Sequence, residues 1–437
     1  MSARWRLRIM MFLQYAVWGA WAPVLGSYLF DKPLAFAGWQ VGVIFSLLPL
    51  ATIVSPFIFG QVADRWIPSQ RVMAALHILA GIALLITAGQ TSFSGMVWLM
   101  AIFAFFYAPT LALANSICFS HMEDAEKEFG GVRVFGTLGW IVAGWILSST
   151  RGGFGQVPAG LLDVMQVVDV LLRPFALGVR TVMNLMHAKA DLLVLGGLAG
   201  ITLGVFSLFL PNTPPRKEGA SPFAFMEALA LFKNRNFAVF MAISFIVGTE
   251  LEFYYILTSP FLSHLGVPIA ITPWVMTIAQ AAEILVMAIL LPALLPRLGA
   301  RKMLAIGAIA WPIRYAIFAL LPVKWLVIAS LSLHGFCYVF FFVVGFIYVD
   351  TVAPADIKAS AQSLMALVVL GLGRYLGSMF AGLVRDRFTV NGVVQWQLVF
   401  LVPCVLTVIC AVCFILAFKE PTRAVDTGQA SDKVASP

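Results

Sequence analysis

Apolar runs recur from one end of this sequence to the other, and each exceeds the roughly 18 residues that a helix needs to cross a bilayer core. Hydrophobic residues make up 61% of the chain and charged residues only 11%. A soluble domain carries roughly 25% charged residues, so this chain lacks the polar surface that would keep it in water. Gly and Pro are scattered through the runs, which suits spanning helices better than the alternating strands of a barrel. We therefore predict an all-α integral membrane protein.

The apolar runs divide into twelve predicted transmembrane helices, separated by turn-forming segments such as Asp31-Lys32-Pro33 and Asn391-Gly392. The predicted spans are 9–30, 38–62, 72–92, 94–119, 131–149, 191–211, 237–262, 270–295, 303–321, 324–349, 363–386 and 395–418. The first run is too long for a cleavable signal peptide and lacks a small-residue cleavage site, so we expect it to remain as the first helix.

The distribution of basic residues predicts the orientation of the chain. With the N-terminus inside, 17 of the 28 Lys and Arg residues fall on cytoplasmic segments, which places both termini in the cytoplasm. The net charge of +8 is explained by this orientation, and no polar domain is present that would bind nucleic acid. The five cysteines lie inside apolar runs, so we expect buried hydrophobic side chains and neither disulfides nor a metal site.

A polar stretch in the middle of the chain divides the spans six and six, as in transporters built from two parallel repeats. We predict a six-helix half at 1–211, a cytoplasmic connector at 212–236, a second half at 237–418 and a disordered cytoplasmic tail at 419–437. Basic loops follow the second span and the eighth span, the matching place in the other half. Orientation charge alone would explain either loop, but their matched positions favour a true repeat. The charged residues of these loops are Asp64, Arg65 and Arg71 in the first half and Arg297, Arg301 and Lys302 in the second, and the connector carries Arg216 and Lys217.

The segment 150–190 is too long for a simple loop and carries two apolar stripes at helical spacing. We predict amphipathic helices that lie in the outer membrane interface. A thirteenth span is the alternative, but it would invert the second half and remove the charge asymmetry. The two stripes are Leu161, Met165, Val168 and Leu172, and Phe175, Val179, Val182, Met183 and Met186.

Six charged residues are predicted at membrane depth, where each costs roughly 2.5–3.5 kcal/mol and so needs a structural or functional reason. They are Arg133, Glu250, Glu252, Glu283, Arg314 and Arg374. Gln280 and Glu283 share a helical face and together offer a protonatable site and hydrogen bonds for a polar solute. Glu250 and Glu252 point to different faces, so one of them is expected to line a cavity and the other to pair with Arg314 or Arg374.

Two alternatives stay open for these residues. A buried Arg314–Glu250 pair that locks two helices together is as plausible as a functional role for either residue. His77 and His334 are candidates both for proton relay and for hydrogen bonds between helices.

Short motifs along the chain together resemble the bacterial nucleoside:proton symporter family of the major facilitator superfamily. They cover nearly all twelve predicted spans in the right order. The motifs are Phe12-Leu13-Gln14-Tyr15 with Trp18-Gly19-x-Trp21, Tyr107-x-Pro109-Thr110-Leu111 with Asn115, Arg133-x-x-Gly136-Thr137, Gly248-x-Glu250-Leu251, Gln280-x-x-Glu283, Ala310-Trp311-x-x-Arg314, Ala359-Ser360-Ala361-Gln362 and Trp396-Gln397.

The resemblance implies the major facilitator fold and a central cavity where a nucleoside binds, with uptake driven by a proton. Carried over position by position, Arg133, Thr137, Gln280 and Glu283 match polar positions of the family's nucleoside pocket, and Trp140 and Tyr338 match aromatic ones. The chain departs from the family at three positions. Glu252 and Tyr255 stand where the family has amides in the seventh helix, and Val339 stands where many members carry an Asp in the tenth.

A ribose offers vicinal hydroxyls that suit a carboxylate and an amide, and a nucleobase offers a flat face that suits an indole or a phenol. We therefore expect the substrate contacts at the residues carried over from the family, together with Glu252 and Tyr255. Proton coupling is expected at Glu283, with Glu252 as second choice, because Glu252 would replace the acidic residue lost at Val339.

The expected partners are a nucleoside, a proton and membrane lipid, with no nucleic acid, no cofactor and no metal. We expect a monomer in the bacterial inner membrane. Symport of a sugar or another small polar solute is an alternative, because the same fold carries many substrates. A non-transporting receptor-like protein is a second alternative. A membrane enzyme is disfavoured, since the sequence carries no catalytic constellation.

Overall fold

The computed structural model describes residues 2–215, 224–354 and 357–419. Within these ranges, ten helices are long and apolar enough to cross a membrane. One of the ten, Thr272–Leu320, holds two spans, because Gly299 adopts a non-helical φ of 73° in its middle. The helix Asp191–Ser207, with 17 residues, is a further span and brings the number to twelve.

The prediction of twelve spans is therefore confirmed. Numbered in chain order, spans 1 to 12 are Ala3–Phe30, Gly38–Arg65, Ser69–Thr87, Phe93–Phe119, Glu128–Thr150, Asp191–Ser207, Arg235–His264, the two parts of Thr272–Leu320 before and after Gly299, Lys324–Val352, Lys358–Arg387 and Trp396–Ala417.

Several spans are not continuous α-helices. Span 1 is interrupted between Ala3–Trp21 and Leu25–Phe30. Each of spans 8, 10 and 11 contains a π-helical segment, and such segments are frequent at functional sites. These segments are Val286–Leu290, Phe336–Val343 and Leu367–Gly373. Between spans 11 and 12, strands β1 (Thr389–Val390) and β2 (Val393–Val394) form a hairpin around the turn predicted at Asn391-Gly392, where both residues have positive φ.

The two halves repeat one packing pattern. In the first half span 1 packs against spans 5 and 6, and span 3 packs against span 6. In the second half span 7 packs against spans 11 and 12, and span 9 packs against span 12. The halves meet where span 2 contacts span 11, span 5 contacts span 8 and the end of span 1 contacts span 7. This is the major facilitator arrangement of two six-helix halves around a central interface.

The N-terminus, the connector and the end of span 12 lie on one face of the molecule, which we call the connector face. Arg6 donates to the carbonyl of Phe209, and the amide of Lys419 donates to Asn236. The connector contains a 3₁₀ helix at Ala224–Lys233. The predicted charges Arg216 and Lys217 and nearly all of the predicted tail, from 420 onward, lie outside the described residues. We call the opposite side, which carries the β1–β2 hairpin, the distal face.

On the distal face, the segment 150–190 folds into a 3₁₀ turn, Gly153–Gln156, and one long helix, Ala159–Met186, which we call the amphipathic helix. It bends by 106° into span 6. The segment therefore holds a single long helix where several were predicted. Met165, Leu172 and Val179 from the predicted stripes pack against the protein. An apolar stripe is exposed that combines Phe175, from a predicted stripe, with Val164, Val167 and Leu171, which the predicted stripes did not include.

Candidate substrate-binding site

A cavity of about 720 Å³ lies between the two halves. This volume falls within the range of roughly 300–1,000 Å³ that is usual for small-molecule sites. Its walls come from spans 1, 2, 4 and 5 of the first half and from spans 7, 8, 10 and 11 of the second. Both halves therefore contribute to one site, as alternating access requires.

The wall from the first half combines one cation with aromatic rings. Arg133 on span 5 places its guanidinium 4.0 Å from the ring centroid of Tyr15 on span 1, so the charge is held by a cation–π contact and remains at the cavity wall. Trp18 contacts Trp140 edge to face at 5.5 Å, and Trp140 lies 6.2 Å from Tyr255 of the other half. These rings offer flat apolar surface beside a fixed positive charge.

The wall from the second half supplies a carboxylate and an amide. Gln280 and Glu283 both line the cavity, one helical turn apart on span 8, as their spacing predicts. Gln280 Oε1 and Trp140 Nε1 are buried and have no hydrogen-bond partner within the described part of the chain. Buried polar atoms are normally paired, so these two are available to a bound polar molecule.

Glu252, in contrast, does not line the cavity. Its carboxylate accepts from Arg374 Nε at 2.5 Å and from the Ser378 hydroxyl at 3.0 Å, so it is held behind the wall. The wall itself is formed there by Arg374, whose guanidinium lies 5.3 Å from the Trp18 ring and 5.2 Å from the Tyr255 ring. The structure therefore contradicts the expectation that Glu252 contacts the substrate. The carboxylate instead accepts hydrogen bonds from Arg374 and Ser378.

The proposed Arg314–Glu250 pair is also not formed. Arg314 donates to His334 Nδ1 at 3.1 Å, and no described carboxylate lies within ion-pair distance of it. The main-chain carbonyl of Glu250 accepts from the Tyr315 hydroxyl. Neither Glu250 nor Glu252 is among the described residues that line the cavity, so the expectation that one of them would do so is wrong.

The cavity is also lined by residues that the sequence did not assign to the site, among them Tyr15, Trp18, Asn115 and Arg374. Arg374 could have been suspected, because a charge at membrane depth needs a reason. Tyr15 and Trp18 are three apart and share a helical face, but an aromatic pair at that spacing is more often packing. Asn115 has a buried, unpartnered side-chain oxygen, which only the structure reveals.

Comparison with known proteins identifies the family of this chain. A family model described as nucleoside H+ symporter matches residues 1–179 and 160–423. The chain belongs to the nucleoside H+ symporter family. Among its relatives is the putative nucleoside transporter YegT of Escherichia coli (strain K12), 31% identical over 98% of this chain and 96% of that protein.

Two further relatives of this symporter-family chain come from the same organism. The nucleoside permease NupG is 30% identical over 98% of this chain and 99% of its own length, and the xanthosine permease is 29% identical over 96% of each. The crystal structure of nucleoside transporter NupG superimposes with a TM-score of 0.79 at 29% identity, covering 96% of this chain and all of that one.

Of the eight residues that the sequence assigned to the site, seven line the same cavity in this symporter-family member. They are Arg133, Thr137, Trp140, Tyr255, Gln280, Glu283 and Tyr338. Glu252 is the exception described above. Val339, which stands in place of the family's Asp, is fully buried and is not among the residues that line the cavity.

The cavity opens toward the connector face. Its lining continues along spans 2, 4 and 11 to Phe57, Asn115 and Ala359, near the ends of these spans on that face. The distal face is closed by direct contacts between the halves, which we call the distal seal. The Ser27 and Ser259 hydroxyls lie 2.6 Å apart, and Asp386 accepts from the amides of Gly38 and Trp39 at 2.6 and 2.8 Å.

Glycines allow the helices of the distal seal to approach closely. A Cβ atom on Gly26 would overlap the carbonyl of Ile256, and one on Gly38 would overlap the carbonyl of Gly382. Larger residues at these positions would hold the two halves apart. The structure therefore represents the state that is open on the connector face and sealed on the distal face.

Proposed function

We propose that this protein imports nucleosides together with protons by alternating access. The observation that carries the proposal is that seven residues predicted from the sequence, six of them at positions matched to the family, come from both halves to line one cavity, with a carboxylate in its wall. The family membership of the chain and the likeness to nucleoside transporter NupG support it.

The chemistry of the cavity suits a nucleoside. Glu283 and the free oxygen of Gln280 can accept hydrogen bonds from the ribose hydroxyls. Trp140, Tyr255 and Tyr338 offer ring faces for the base, and Arg133 can donate to a carbonyl or ring nitrogen of the base. All of these groups come from one chain, so a monomer would suffice.

The charge distribution supports an inner-membrane protein with both termini in the cytoplasm. The connector face is then cytoplasmic and the distal face external, so the cavity is in its release state. The amphipathic helix would lie in the outer membrane interface, with its exposed stripe of Val164, Val167, Leu171 and Phe175 in the lipid.

Uptake of labelled uridine and adenosine by cells lacking their own nucleoside carriers tests the function. Accumulation above the external concentration that a protonophore abolishes is the expected result. Uptake that only equilibrates and ignores the protonophore would contradict symport. If neither nucleoside enters, the cavity serves another small polar solute or transports nothing.

The coupling role is tested by Glu283→Gln, which keeps the size of the side chain and much of its hydrogen bonding but cannot titrate. We expect nucleoside binding to remain within about tenfold, because the amide replaces most ribose contacts, while gradient-driven accumulation is lost. Glu128→Gln is the control, since Glu128 forms an ion pair with Arg4 away from the cavity. Accumulation by Glu283→Gln would move the coupling role to Glu252, whose partner Arg374 does reach the cavity.

A further inference from the structure

Behind the cavity wall, three polar side chains from spans 8, 9 and 10 form a line into the interior of the second half. Glu283 stands at the wall, with its Oε2 atom 4.0 Å from Nε2 of His334. On the other side of the ring, His334 Nδ1 lies 3.1 Å from Nη1 of Arg314. Arg314 and His334 are both fully buried. The line therefore connects Glu283, which a substrate can reach, with the charge of Arg314, which solvent cannot reach.

Aromatic contacts fix the orientation of the His334 ring. It stacks on Tyr254 at 4.8 Å with an angle of 20° and on Tyr338 at 5.7 Å with an angle of 27°. The Arg314 guanidinium is held in turn over the rings of Tyr254 at 4.8 Å and Trp311 at 4.6 Å. With the ring held by these contacts, Nδ1 faces Arg314 and Nε2 lies on the side of Glu283.

The contact with Arg314 determines which nitrogen of His334 carries the proton. A guanidinium is only a donor, so Nδ1 must accept and the proton resides on Nε2. A second proton would remove this acceptor and place an imidazolium directly against the guanidinium. His334 is therefore held neutral, and it presents an N–H group to Glu283.

We infer that Arg314 and His334 are positioning residues for Glu283, and that they draw its carboxylate away from the cavity when it loses its proton. The inference rests on the proposed proton-coupled transport. An N–H donor favours the ionised carboxylate, and closing the gap from 4.0 Å to a hydrogen bond of about 2.9 Å takes only a small movement of the Glu283 side chain. Protonated Glu283 stays at the wall and binds the substrate, whereas ionised Glu283 turns to His334 and releases it.

The other charged or titratable groups around this line are consistent with Glu283 as its responsive member. Glu283 is the one carboxylate in direct contact with the line among the residues that the structure describes. The remaining groups are Arg133 across the cavity, Tyr254 and Tyr255 on span 7, Tyr315 on span 9, and Cys337 and Tyr338 on span 10.

Two substitutions of His334 test the inference in the full-length protein reconstituted into liposomes. His334→Phe keeps a flat ring between Tyr254 and Tyr338 but removes both nitrogens. His334→Gln keeps one acceptor for Arg314 and one donor for Glu283. The measurements are the pH dependence of uridine binding and uridine counterflow, an exchange that needs no net movement of protons.

Without the His334 N–H donor, the ionised form of Glu283 loses a stabilising hydrogen bond. Glu283 therefore stays protonated to a higher pH, and uridine binding persists to that pH. We expect the pH midpoint of uridine binding to move upward by about one unit or more in His334→Phe, with counterflow at low pH within about twofold of the unsubstituted protein. His334→Gln should return the midpoint close to its original value. A purely structural role would lower counterflow in both variants and leave the midpoint in place.

An unchanged midpoint in His334→Phe overturns the inference. If that variant does not reach the membrane, Arg314→Gln replaces it: the charge that fixes the tautomer is gone, so an upward shift is expected and no shift overturns the inference. Absence of any proton dependence in the unsubstituted protein would instead overturn the proposed function, and the inference with it.

Discussion

Arg133 shows how a charge inside the membrane can be stabilised without an opposite charge beside it. Its guanidinium lies over the Tyr15 ring at 4.0 Å and makes no ion pair with a described carboxylate, yet it remains at the cavity wall. A cation–π contact of this kind contributes roughly 0.5–2 kcal/mol. The side chain is therefore held in place while its hydrogen-bond donors stay free for a substrate.

We predict that Arg133→Ala weakens nucleoside binding about tenfold or more, because donors to the bound base are lost. Protein yield and thermal stability should change little, since the side chain locks no ion pair. Equilibrium binding to purified protein and a thermal melt measure the two effects. Arg8→Ala is the matched control, because Arg8 also lies over aromatic rings, those of Trp5 and Phe135, but outside the cavity. Equal losses of binding in both variants would contradict a substrate contact at Arg133.

At the scale of elements, the contact between spans 2 and 11 closes the distal face. Asp386 at the end of span 11 accepts from the first two amides of span 2, where the helix dipole also favours a negative charge. Helix amides at an N-terminus have no partner within their own helix, so a carboxylate from the opposite half satisfies them only while the seal is closed.

Asp386→Ala should therefore shift the protein toward the state that is open on the distal face, by about tenfold in the equilibrium. The measurement is the rate at which a membrane-impermeant maleimide labels Ser259→Cys, a position buried inside the seal, in a background without the exposed Cys413. Asp350→Ala serves as the control, because Asp350 pairs with Lys358 on the connector side. A labelling rate that Asp386→Ala does not raise would show that the seal stays closed without the Asp386 contacts.

The amphipathic helix presents three different surfaces. Met165, Ala176 and Val179 face the protein, the stripe of Val164, Val167, Leu171 and Phe175 is exposed and apolar, and a polar side includes Gln166 and Arg173. An exposed apolar stripe beside a polar one suits a helix lying at a membrane surface.

We predict that a nitroxide spin label at Leu171 is relaxed mainly by oxygen, which concentrates in lipid, and one at Gln166 mainly by a water-soluble nickel complex. Electron paramagnetic resonance on protein in liposomes measures both. The two sites are matched, since both are exposed on the same helix. Equal access of the nickel complex to the two labels would place the helix in water.

For the whole molecule, the packing pattern repeated within each half indicates that the halves move as rigid bodies. Opening the distal seal should then close the connector face. Spin labels at Arg71 on span 3 and Lys302 on span 9 lie at corresponding positions of the two halves and are both exposed. We predict that Asp386→Ala enlarges the population with a shorter distance between them, as measured by double electron–electron resonance.

A label pair within one half, at Arg71 and Ser116, is the control for that measurement and should not change. If both distances change, the helices rearrange within the half, and if neither changes, the distal seal and the connector face move independently.

The sequence by itself determined the twelve spans, their division into halves and the family of the chain. Hydrophobic length and turn signals are properties of short segments, so they can be read without knowing what packs against them. It also placed Gln280 and Glu283 on one face, because helical periodicity relates residues within a helix. The family resemblance supplied six of the residues that line the cavity.

Partners across helices were decided only by the tertiary structure. Glu252 and Arg374 lie 122 positions apart, and no local pattern distinguishes their pairing from the alternative of Arg314 with Glu250. The phase of one helix fixes where a side chain points, but the neighbour it meets depends on how the helices are arranged. The same reason explains why Trp18 and Asn115 were not assigned to the site, and why His334 could not be placed between Arg314 and Glu283.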